Sequence, residues 1–368
     1  MTASALPFAG RTVNVALSTR DFRRGMRTNG GLIINELEAL GCNSRLVTDG
    51  DPSGCDSDLL ILYGNCRAMK HYAALLARTQ DRRSRTVMWQ VDPLPPRSLD
   101  PTFEAKALRL SNIFAYKRAL RPLEILVGHL LYKQIAERGM GYSRDQQGDH
   151  PVDSGMARTT IESYAAIRNG ISDGGLDTIY VSTIGKQRFL AERGISSTFA
   201  PYGDYPRLGE EQHAERDVDV LFIGSLKNLR RRQRLETTLE QIRNANIRIE
   251  VASRGLWGQA RRDMLNRSKI LLHIHKYPWD TPWMRWAMAA VNGAVVVSEP
   301  LVNPEPFKPG IHYFEAPTEG LAELIGKLLA DPERLQVAAD RCRNFVTSQL
   351  TLRGSVELIL TDFFPPNA

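Results

Sequence analysis

Short, mainly apolar runs alternate with segments of helical periodicity along most of this chain. The run Val218–Ile223, for example, ends at Gly224 and is followed by helical apolar spacing over residues 231–242. Parallel strands must be joined by crossover connections, which are usually helices. The alternation therefore predicts an α/β protein whose sheets are parallel and doubly wound.

The alternation occurs in two consecutive series. The predicted strands are 13–17, 45–48, 59–63, 86–91, 178–182, 198–201, 218–223, 247–252, 269–275, 294–298 and 312–315. The predicted helices are 32–40, 69–77, 102–138, 159–167, 186–192, 231–242, 260–266, 283–292, 318–330, 332–349 and 354–363. The polar residues 141–157 are expected to form a long loop, and Gly30 and Gly31 to lie in the loop 18–31.

A charged segment, 204–216, separates the two series and contains a proline and a glycine. Such a segment is typical of an inter-domain linker. We therefore expect an N-terminal Rossmann-like domain over 1–206, a C-terminal Rossmann-like domain over 207–350, and a terminal helix over 351–368 that packs back on the N-terminal domain. In sheets of this type, ligands bind beyond the carboxyl ends of the strands.

Composition bears on the class of protein. The 368 residues are enough for two domains, and no run approaches the roughly 20 apolar residues of a membrane span. The first ten residues lack the layout of a signal peptide, so a cytoplasmic location is expected. The four cysteines contain no CxxC pair and are expected to be free thiols. The net charge of +7 suits anionic partners such as nucleotide phosphates, nucleic acid or an anionic membrane.

The loop after the run Val218–Ile223 is a candidate phosphate site. Gly224 and Ser225 follow the strand directly, and a glycine there allows a ligand to approach the backbone closely. The next helix offers unpaired N–H groups at its N-terminus, while Lys227 and Arg231 add positive charge. The alternative is a tight turn that precedes an exposed basic helix. The loop lacks the GxxxxGK[ST] pattern of a P-loop.

A second candidate region lies between the strands 269–275 and 294–298. His275 lies near the end of the first strand, whereas His273 is expected to be buried. The loop that follows contains Trp279 and Asp280. An aspartate there can orient sugar hydroxyls or stabilise a developing positive charge, and its alternative role is that of a helix N-cap.

The helix of this region carries Trp283 and Arg285. The tryptophan face suits a sugar or base ring, and the arginine suits a departing phosphate. Trp283 and Trp286 have the i, i+3 spacing that is also typical of core residues. The region ends with Ser298 and Glu299 after the second buried strand.

This region resembles the donor-site block of divergent family-4-like bacterial glycosyltransferases, of the "glycosyl transferases group 1" and spore-coat types. The resemblance rests on the sequence AMA at 287–289 with Gly293, on VVVSE at 295–299, and on the segment 304–314. It covers about residues 217–345. It implies the GT-B fold, in which two Rossmann-like domains face each other across a cleft, a nucleoside diphosphate sugar held mainly by the C-terminal domain, and a retaining reaction.

The family has two acidic residues separated by seven others. Counted back from Gly293, these positions are Asp280 and Met288, so the second carboxylate is missing. Glu299 is the candidate to replace its contact with the ribose.

In the N-terminal domain, Asp21 and Asp92 are candidates for a general base that acts on an acceptor hydroxyl. A solvated loop and a turn before Pro93 are their alternative roles. Of the three D-x-D pairs, two precede strands and Asp49 with Asp51 lies in a turn. We therefore expect a reaction that requires neither metal nor cofactor.

The sequence as a whole favours a glycosyltransferase that moves a hexosyl or related group to an unknown acceptor. Three alternatives stay open: a nucleotide-sugar epimerase, a non-catalytic nucleotide-sugar-binding protein, and a nucleic-acid-modifying or nucleic-acid-binding protein. The missing carboxylate at Met288 motivates the second, and the basic run 230–234 motivates the third. Basic residues beside the apolar face 123–132 predict peripheral contact with a membrane, with core packing as the alternative.

Overall fold

Two parallel sheets organise the chain in the computed structural model of the protein. The structure describes residues 6–23, 29–64, 69, 71–72, 74–77, 84–116, 130, 132–135, 154–253, 256–276, 279 and 283–365. The chain divides into two units. The first comprises Met1–Ala200 and Ser355–Ala368, and the second comprises Pro201–Gly354.

The first unit contains a six-stranded sheet with the order β2-β1-β3-β4-β5-β6, in which every pair of neighbours is parallel. Its strands are β1 (Thr12–Leu17), β2 (Asn43–Thr48), β3 (Leu59–Gly64), β4 (Arg85–Gln90), β5 (Thr178–Val181) and β6 (Thr198–Phe199). Its helices include α1 (Thr19–Phe22), α2 (Asn29–Ala39), α3 (Pro101–Tyr116), α4 (Ser154–Ser172) and α5 (Ile184–Ala191). The central strand β3 is buried along five of its six residues, which explains its continuous apolar sequence.

The second unit contains a five-stranded parallel sheet with the order β11-β10-β9-β7-β8. Its strands are β7 (Val218–Ile223), β8 (Ile249–Ala252), β9 (Ser268–His273), β10 (Val295–Ser298) and β11 (Phe314–Glu315). The helices of this half of the chain are α6 (Leu229–Asn244), α7 (Gly258–Asn266), α8 (Trp283–Val291), α9 (Leu321–Leu329), α10 (Pro332–Gln349) and α11 (Leu352–Phe363). The last helix enters the first unit, where Tyr180 donates a 2.6 Å hydrogen bond to Asp362.

The strand order fixes where the second unit can bind a ligand. The chain runs from β7 to its neighbour β8 and then crosses to β9 on the other side of β7. The loops after β7 and β9 consequently leave the sheet in different directions. A crevice forms at such a switch point, at the carboxyl ends of the strands, and ligands bind there.

The predicted α/β class with parallel sheets is confirmed, but two predicted loops, 141–157 and 18–31, are wrong over part of their length. Residues 154–157 belong to α4, because Met156 and Ala157 are buried and their packing outweighs the low helix propensity of Gly155. Gly30 and Gly31 lie in α2. A Cβ at Gly30 would lie 2.8 Å from Leu17, so glycine here allows the helix to pack closely on the sheet.

Three of the four cysteines lie in the described part of the chain. Cys42, Cys55 and Cys342 are buried and free, while Cys66 lies outside the described residues. Across the described ranges, no helix combines the length and apolar character needed to cross a membrane. The basic segment 117–129, on which the predicted membrane contact depends, lies outside the described residues.

The glycine at the start of the second unit predicts a measurable packing effect. A Cβ at Gly203 would overlap the backbone carbonyl of Leu350, which also accepts a hydrogen bond from Asp204 N–H at 2.6 Å. We expect Gly203→Ala to lower the free energy of unfolding by about 2 kcal/mol, because a backbone carbonyl cannot move aside cheaply. Calorimetric melting checks this. Gly320→Ala is the control, since its nearest neighbour would lie 3.6 Å away, and equal melting temperatures for the two variants would contradict the packing argument.

Candidate functional site

The loop after β7 brings two arginine side chains to one glycine. Gly224 N–H donates to Ala252 O at 3.1 Å, which ties the loop to the end of β8. A Cβ at Gly224 would lie 3.2 Å from a guanidinium nitrogen of Arg285 and 3.4 Å from one of Arg231. The lack of a side chain at Gly224 thus leaves room for both cations at the switch point.

Each of these arginines contacts the end of the neighbouring strand. Arg231 lies on the helix after β7 and contacts the end of β9, and Arg285 lies on the helix after β9 and contacts the end of β7. Arg231, in the first turn of α6, donates from Nε to Ile274 O beyond the end of β9 at 2.9 Å. Arg285, in the first turn of α8, donates to Ile223 O at the end of β7. The crossed contacts fix both guanidinium groups between the two strand ends.

The arginine pair brings two positive charges close together. Burial, and then the charge of Arg231, lower the pKa of Arg285 to about 9, so Arg285 is still a cation at neutral pH. Within the described part of the chain, no carboxylate forms a salt bridge with Arg285. Two adjacent cations at the start of two helices favour an anion.

A second group of arginines, Arg230 and Arg234, is paired with Glu299, which is 2% exposed. Its carboxylate accepts two hydrogen bonds from Arg230 at 2.8 and 3.1 Å and one from Arg234 at 2.6 Å. It also accepts the N–H of His275 at 2.9 Å and the hydroxyl of Thr318 at 3.2 Å. Burial alone would raise the pKa of Glu299, but its charged and hydrogen-bonded neighbours lower it to about 2. Glu299 is therefore ionised and engaged with protein groups.

The two histidines of β9 and its exit are buried. Burial lowers the pKa of both His273 and His275, so both are neutral at pH 7. His275 Nε2 lies 2.9 Å from Glu299 O, and the ring of His273 lies 5.3 Å from that of Trp286. His273 is buried, as the sequence predicts, and Trp286 lies in the core.

The other predicted donor-site residues differ in exposure. Ser225 and Lys227 are exposed, and Lys227 N–H donates to Ser225 Oγ at 3.3 Å. Ser298 is buried and donates to Glu299 O at 2.7 Å. Trp279 and Trp283 are both buried. Of these five residues, Ser225 and Lys227 on the loop after β7 are the two that face solvent.

Tryptophan packing continues into the start of the second unit, where the ring of Trp283 lies 5.7 Å from that of Tyr202. Asp280 lies outside the described residues, and its predicted role stays a prediction.

The two carboxylates predicted for the first unit are separated. Asp21 lies after β1 and accepts the Ser18 hydroxyl at 2.8 Å, which fits a capping contact of α1. Asp92 lies after β4, and its backbone oxygen accepts Gln90 Nε2 at 2.9 Å. Because β3 lies between β1 and β4, these strand ends are about 10 Å apart.

The D-x-D aspartates make protein contacts. Asp49 is buried and accepts the N–H of His71 at 2.7 Å, while Asp51 accepts Ser53 Oγ at 2.6 Å. Asp217 pairs with Arg267 on the second unit. In the ranges that the structure describes, no cluster of three or more histidine, cysteine or acidic side chains could hold a metal ion.

Sequence reasoning missed the roles of three residues. Arg230 and Arg234 were assigned to the basic run, yet their i, i+4 spacing places both on the face of α6 that contacts Glu299. Trp257, before α7, was not considered and is exposed. Its position after an apolar strand was the available signal.

Part of the second half of the chain is similar to a known family. Residues 230–361 match the glycosyl transferase-like family, a segment that includes α6, Arg231, Arg285 and Glu299. No curated protein has a sequence that matches the chain at a significant level.

Several solved structures share the fold. Anabaena HepE in complex with UDP and glucose aligns with a TM-score of 0.54 and 11% identity over 96% of this chain and 99% of that one. Sucrose-phosphate synthase from Thermosynechococcus elongatus aligns with a TM-score of 0.56 and 10% identity, over 96% of this chain and 98% of that one. A UDP-forming trehalose-phosphate synthase from Burkholderia xenovorans aligns with a TM-score of 0.53 and 10% identity, over 96% of this chain and 98% of that one. The predicted GT-B fold, with two Rossmann-like domains, is confirmed.

Loss of the Glu299 charge should destabilise the second unit. Glu299→Gln leaves the buried Arg230 and the half-buried Arg234 without the charge of their shared carboxylate, so we expect a loss of about 3 kcal/mol in the free energy of unfolding. Denaturation followed by the fluorescence of the buried tryptophans measures this. Glu323→Gln is the control, because its ion pair with Lys327 is exposed and should contribute nothing measurable.

The same variant has a pH signature. The pKa of Glu299 is lowered from 4.5 to about 2, so its contribution is complete above pH 4.5 and is lost as the pH falls toward 2. The stability difference between the wild type and Glu299→Gln should shrink over that range. A difference that stays constant from pH 5 to pH 2 would contradict an ionised Glu299.

Proposed function

We propose that this chain, with its glycosyl transferase-like segment and GT-B fold, is a glycosyltransferase that uses a nucleoside diphosphate sugar. The observation that carries the proposal is the pair Arg231 and Arg285, which lies at the switch point of the second sheet. Sugar transfer breaks the bond between the anomeric carbon and a diphosphate oxygen, and a bond from the carbon to an acceptor oxygen forms. The acceptor proton passes to a base.

The arginine pair suits the leaving group of that reaction. The departing diphosphate gains negative charge as its bond to the sugar breaks, and prepositioned cations stabilise this charge without reorganisation. The crossed contacts to Ile223 and Ile274 hold the two guanidinium groups in place beforehand. Glu299 contributes indirectly, because it anchors Arg230 and therefore the first turn of α6, which carries Arg231.

The relatives support a choice of donor for the first assays. HepE was solved with UDP and glucose, and the Burkholderia synthase is UDP-forming. UDP-sugars are accordingly the first donors to test. The resemblance of the segment 287–299 to a retaining family supports retention of the anomeric configuration in the product.

The remaining catalytic assignments belong to the same proposal. Asp280 contacts the sugar and steadies the oxocarbenium charge, while Asp21 and Asp92 are the candidates for the base that receives the acceptor proton. No step assigned to these residues involves a metal or a cofactor. Each assignment is tested by an amide variant, which retains the size of the side chain and removes its charge.

One alternative is favoured by a specific residue. Met288 is buried on α8 at the position where the resembling family has its second carboxylate. This supports a protein that binds a nucleotide sugar without transferring it. The nucleic-acid alternative loses support, because Arg230 and Arg231 are each 8% exposed and the run does not form an open basic face.

A donor screen separates these functions. UDP-, GDP- and dTDP-sugars are tested for thermal stabilisation and for release of the nucleoside diphosphate. A transferase both binds a donor and slowly hydrolyses it, whereas a binding protein shows stabilisation alone. An epimerase would convert the sugar of the donor to its epimer and would transfer no sugar to an acceptor. Failure of every donor to stabilise the protein would contradict the proposal.

Arg285→Ala should reduce turnover strongly. Loss of one prepositioned charge stabiliser lowers kcat by about 100-fold, and steady-state kinetics with the donor identified by the screen measures it. Arg248→Ala is the control, because Arg248 is an exposed arginine in ion pairs at the amino end of β8. A folded Arg285→Ala variant with normal turnover would reassign Arg285 to a structural role.

Chelation should leave the activity intact. The proposed phosphate site relies on two guanidinium cations, so EDTA is expected to change the initial rate by less than about twofold. Rates before and after dialysis against EDTA provide the measurement. Complete loss that Mn²⁺ or Mg²⁺ restores would show that a metal, rather than the arginine pair alone, neutralises the diphosphate.

A further inference from the structure

Trp257 differs from every other tryptophan of the chain. It is 73% exposed, whereas Trp89, Trp279, Trp283 and Trp286 are all buried. An indole in water exposes a large apolar surface, and its flat faces suit stacking on another ring. Its exposure leaves the faces of the indole accessible to a ligand ring.

The fold places Trp257 at the same edge of the sheet as the arginine pair. It precedes α7, in the loop that leaves the carboxyl end of β8. β8 pairs with β7, with Ala252 opposite Ile223, and Ala252 O accepts the N–H of Gly224 at 3.1 Å. Neighbouring strands are about 4.8 Å apart, and the five residues from Ala252 to Trp257 span at most about 17 Å.

The surroundings indicate the direction in which a bound nucleotide extends from the arginine pair. On the side of β10, the strand end is filled by Glu299 and its buried contacts with Arg230 and Thr318. On the side of β8, Ser225 and Ser253 are exposed. A ring attached to the diphosphate that extends toward β8 would approach the loop after this strand, which carries Trp257.

The sugar and the nucleoside of the donor extend in opposite directions from the diphosphate. In the proposed function, the sugar lies toward the loop after β9, which carries Asp280. The nucleoside then extends the other way, over β8. Stacking on an aromatic side chain is favourable for any base, because every base has a π face.

We infer that Trp257 is the platform on which the base of the donor nucleotide stacks. The inference rests on the proposed function, since it takes the diphosphate to bind Arg231 and Arg285. It adds a residue that strengthens binding of the nucleoside and acts separately from the residues that hold the phosphates.

Calorimetry with two kinds of ligand tests the inference. UDP, GDP and dTDP contain a base, and inorganic pyrophosphate does not. Trp257→Ala should weaken binding of the preferred nucleoside diphosphate by about tenfold, in line with loss of one base–aromatic stack, and should leave pyrophosphate binding unchanged. Trp257→Phe should retain most of the affinity. Val337→Ala, which truncates an exposed apolar side chain on α10, is the control and should change neither.

Fluorescence gives an independent readout in the wild type. Acrylamide reaches Trp257 far more readily than the four buried tryptophans. The nucleoside diphosphate should protect this fluorescence from quenching, and pyrophosphate should not.

The outcomes separate the inference from the function on which it rests. Unchanged nucleotide affinity in Trp257→Ala would overturn the inference while the proposed donor site stands. So would equal weakening of nucleotide and pyrophosphate, or weakened binding of the nucleotide sugar alone, which would place the sugar on Trp257. A wild-type protein that binds none of these ligands would contradict the proposed function itself.

Discussion

The buried carboxylate of Glu299 determines how the positive charge of the second unit is distributed. Arg230, Arg231, Arg234 and Arg285 lie close together, and Glu299 takes Arg230 and Arg234 into hydrogen-bonded ion pairs. A buried ion pair of this kind contributes little net stability, but loss of one partner is costly. Its consequence here is positional. It fixes the first turn of α6, which places Arg231 beside Arg285 at the switch point.

The strand order provides the place for that charge. Because β8 and β9 lie on opposite sides of β7, the helices α6 and α8 begin on either side of one crevice. The two arginines cross it to reach Ile274 and Ile223. The backbone topology and the side-chain electrostatics therefore select the same point, and that agreement supports a diphosphate there more strongly than either does alone.

The sequence predicted the limits of those helices and strands that end at a glycine, a proline or a capping residue. The strand Val218–Ile223 and the helix Pro332–Gln349 have their predicted limits, because an apolar run ends at Gly224 in one case and Asp331 caps the helix before a proline in the other. Gly30 was misplaced because its helical position depends on close packing against Leu17 and Leu46. A single sequence cannot reveal such contacts.

The same distinction holds for the candidate site. The glycine, the basic loop and Arg285 were predicted as candidates from their positions after strands. The engagement of Glu299 was not foreseen, because its partners are 65 and 69 residues away in the chain. The exposure of Trp257 was not foreseen either, since burial depends on the packing of the whole unit.

The central claim is that Arg231 and Arg285 together hold the diphosphate of the donor. A crystal structure of the protein with a bound nucleoside diphosphate tests it most directly. The account predicts phosphate oxygens within hydrogen-bond distance of both guanidinium groups and of the loop at Gly224. A nucleotide bound only to residues of the first unit, or one whose phosphates contact neither arginine, would contradict it.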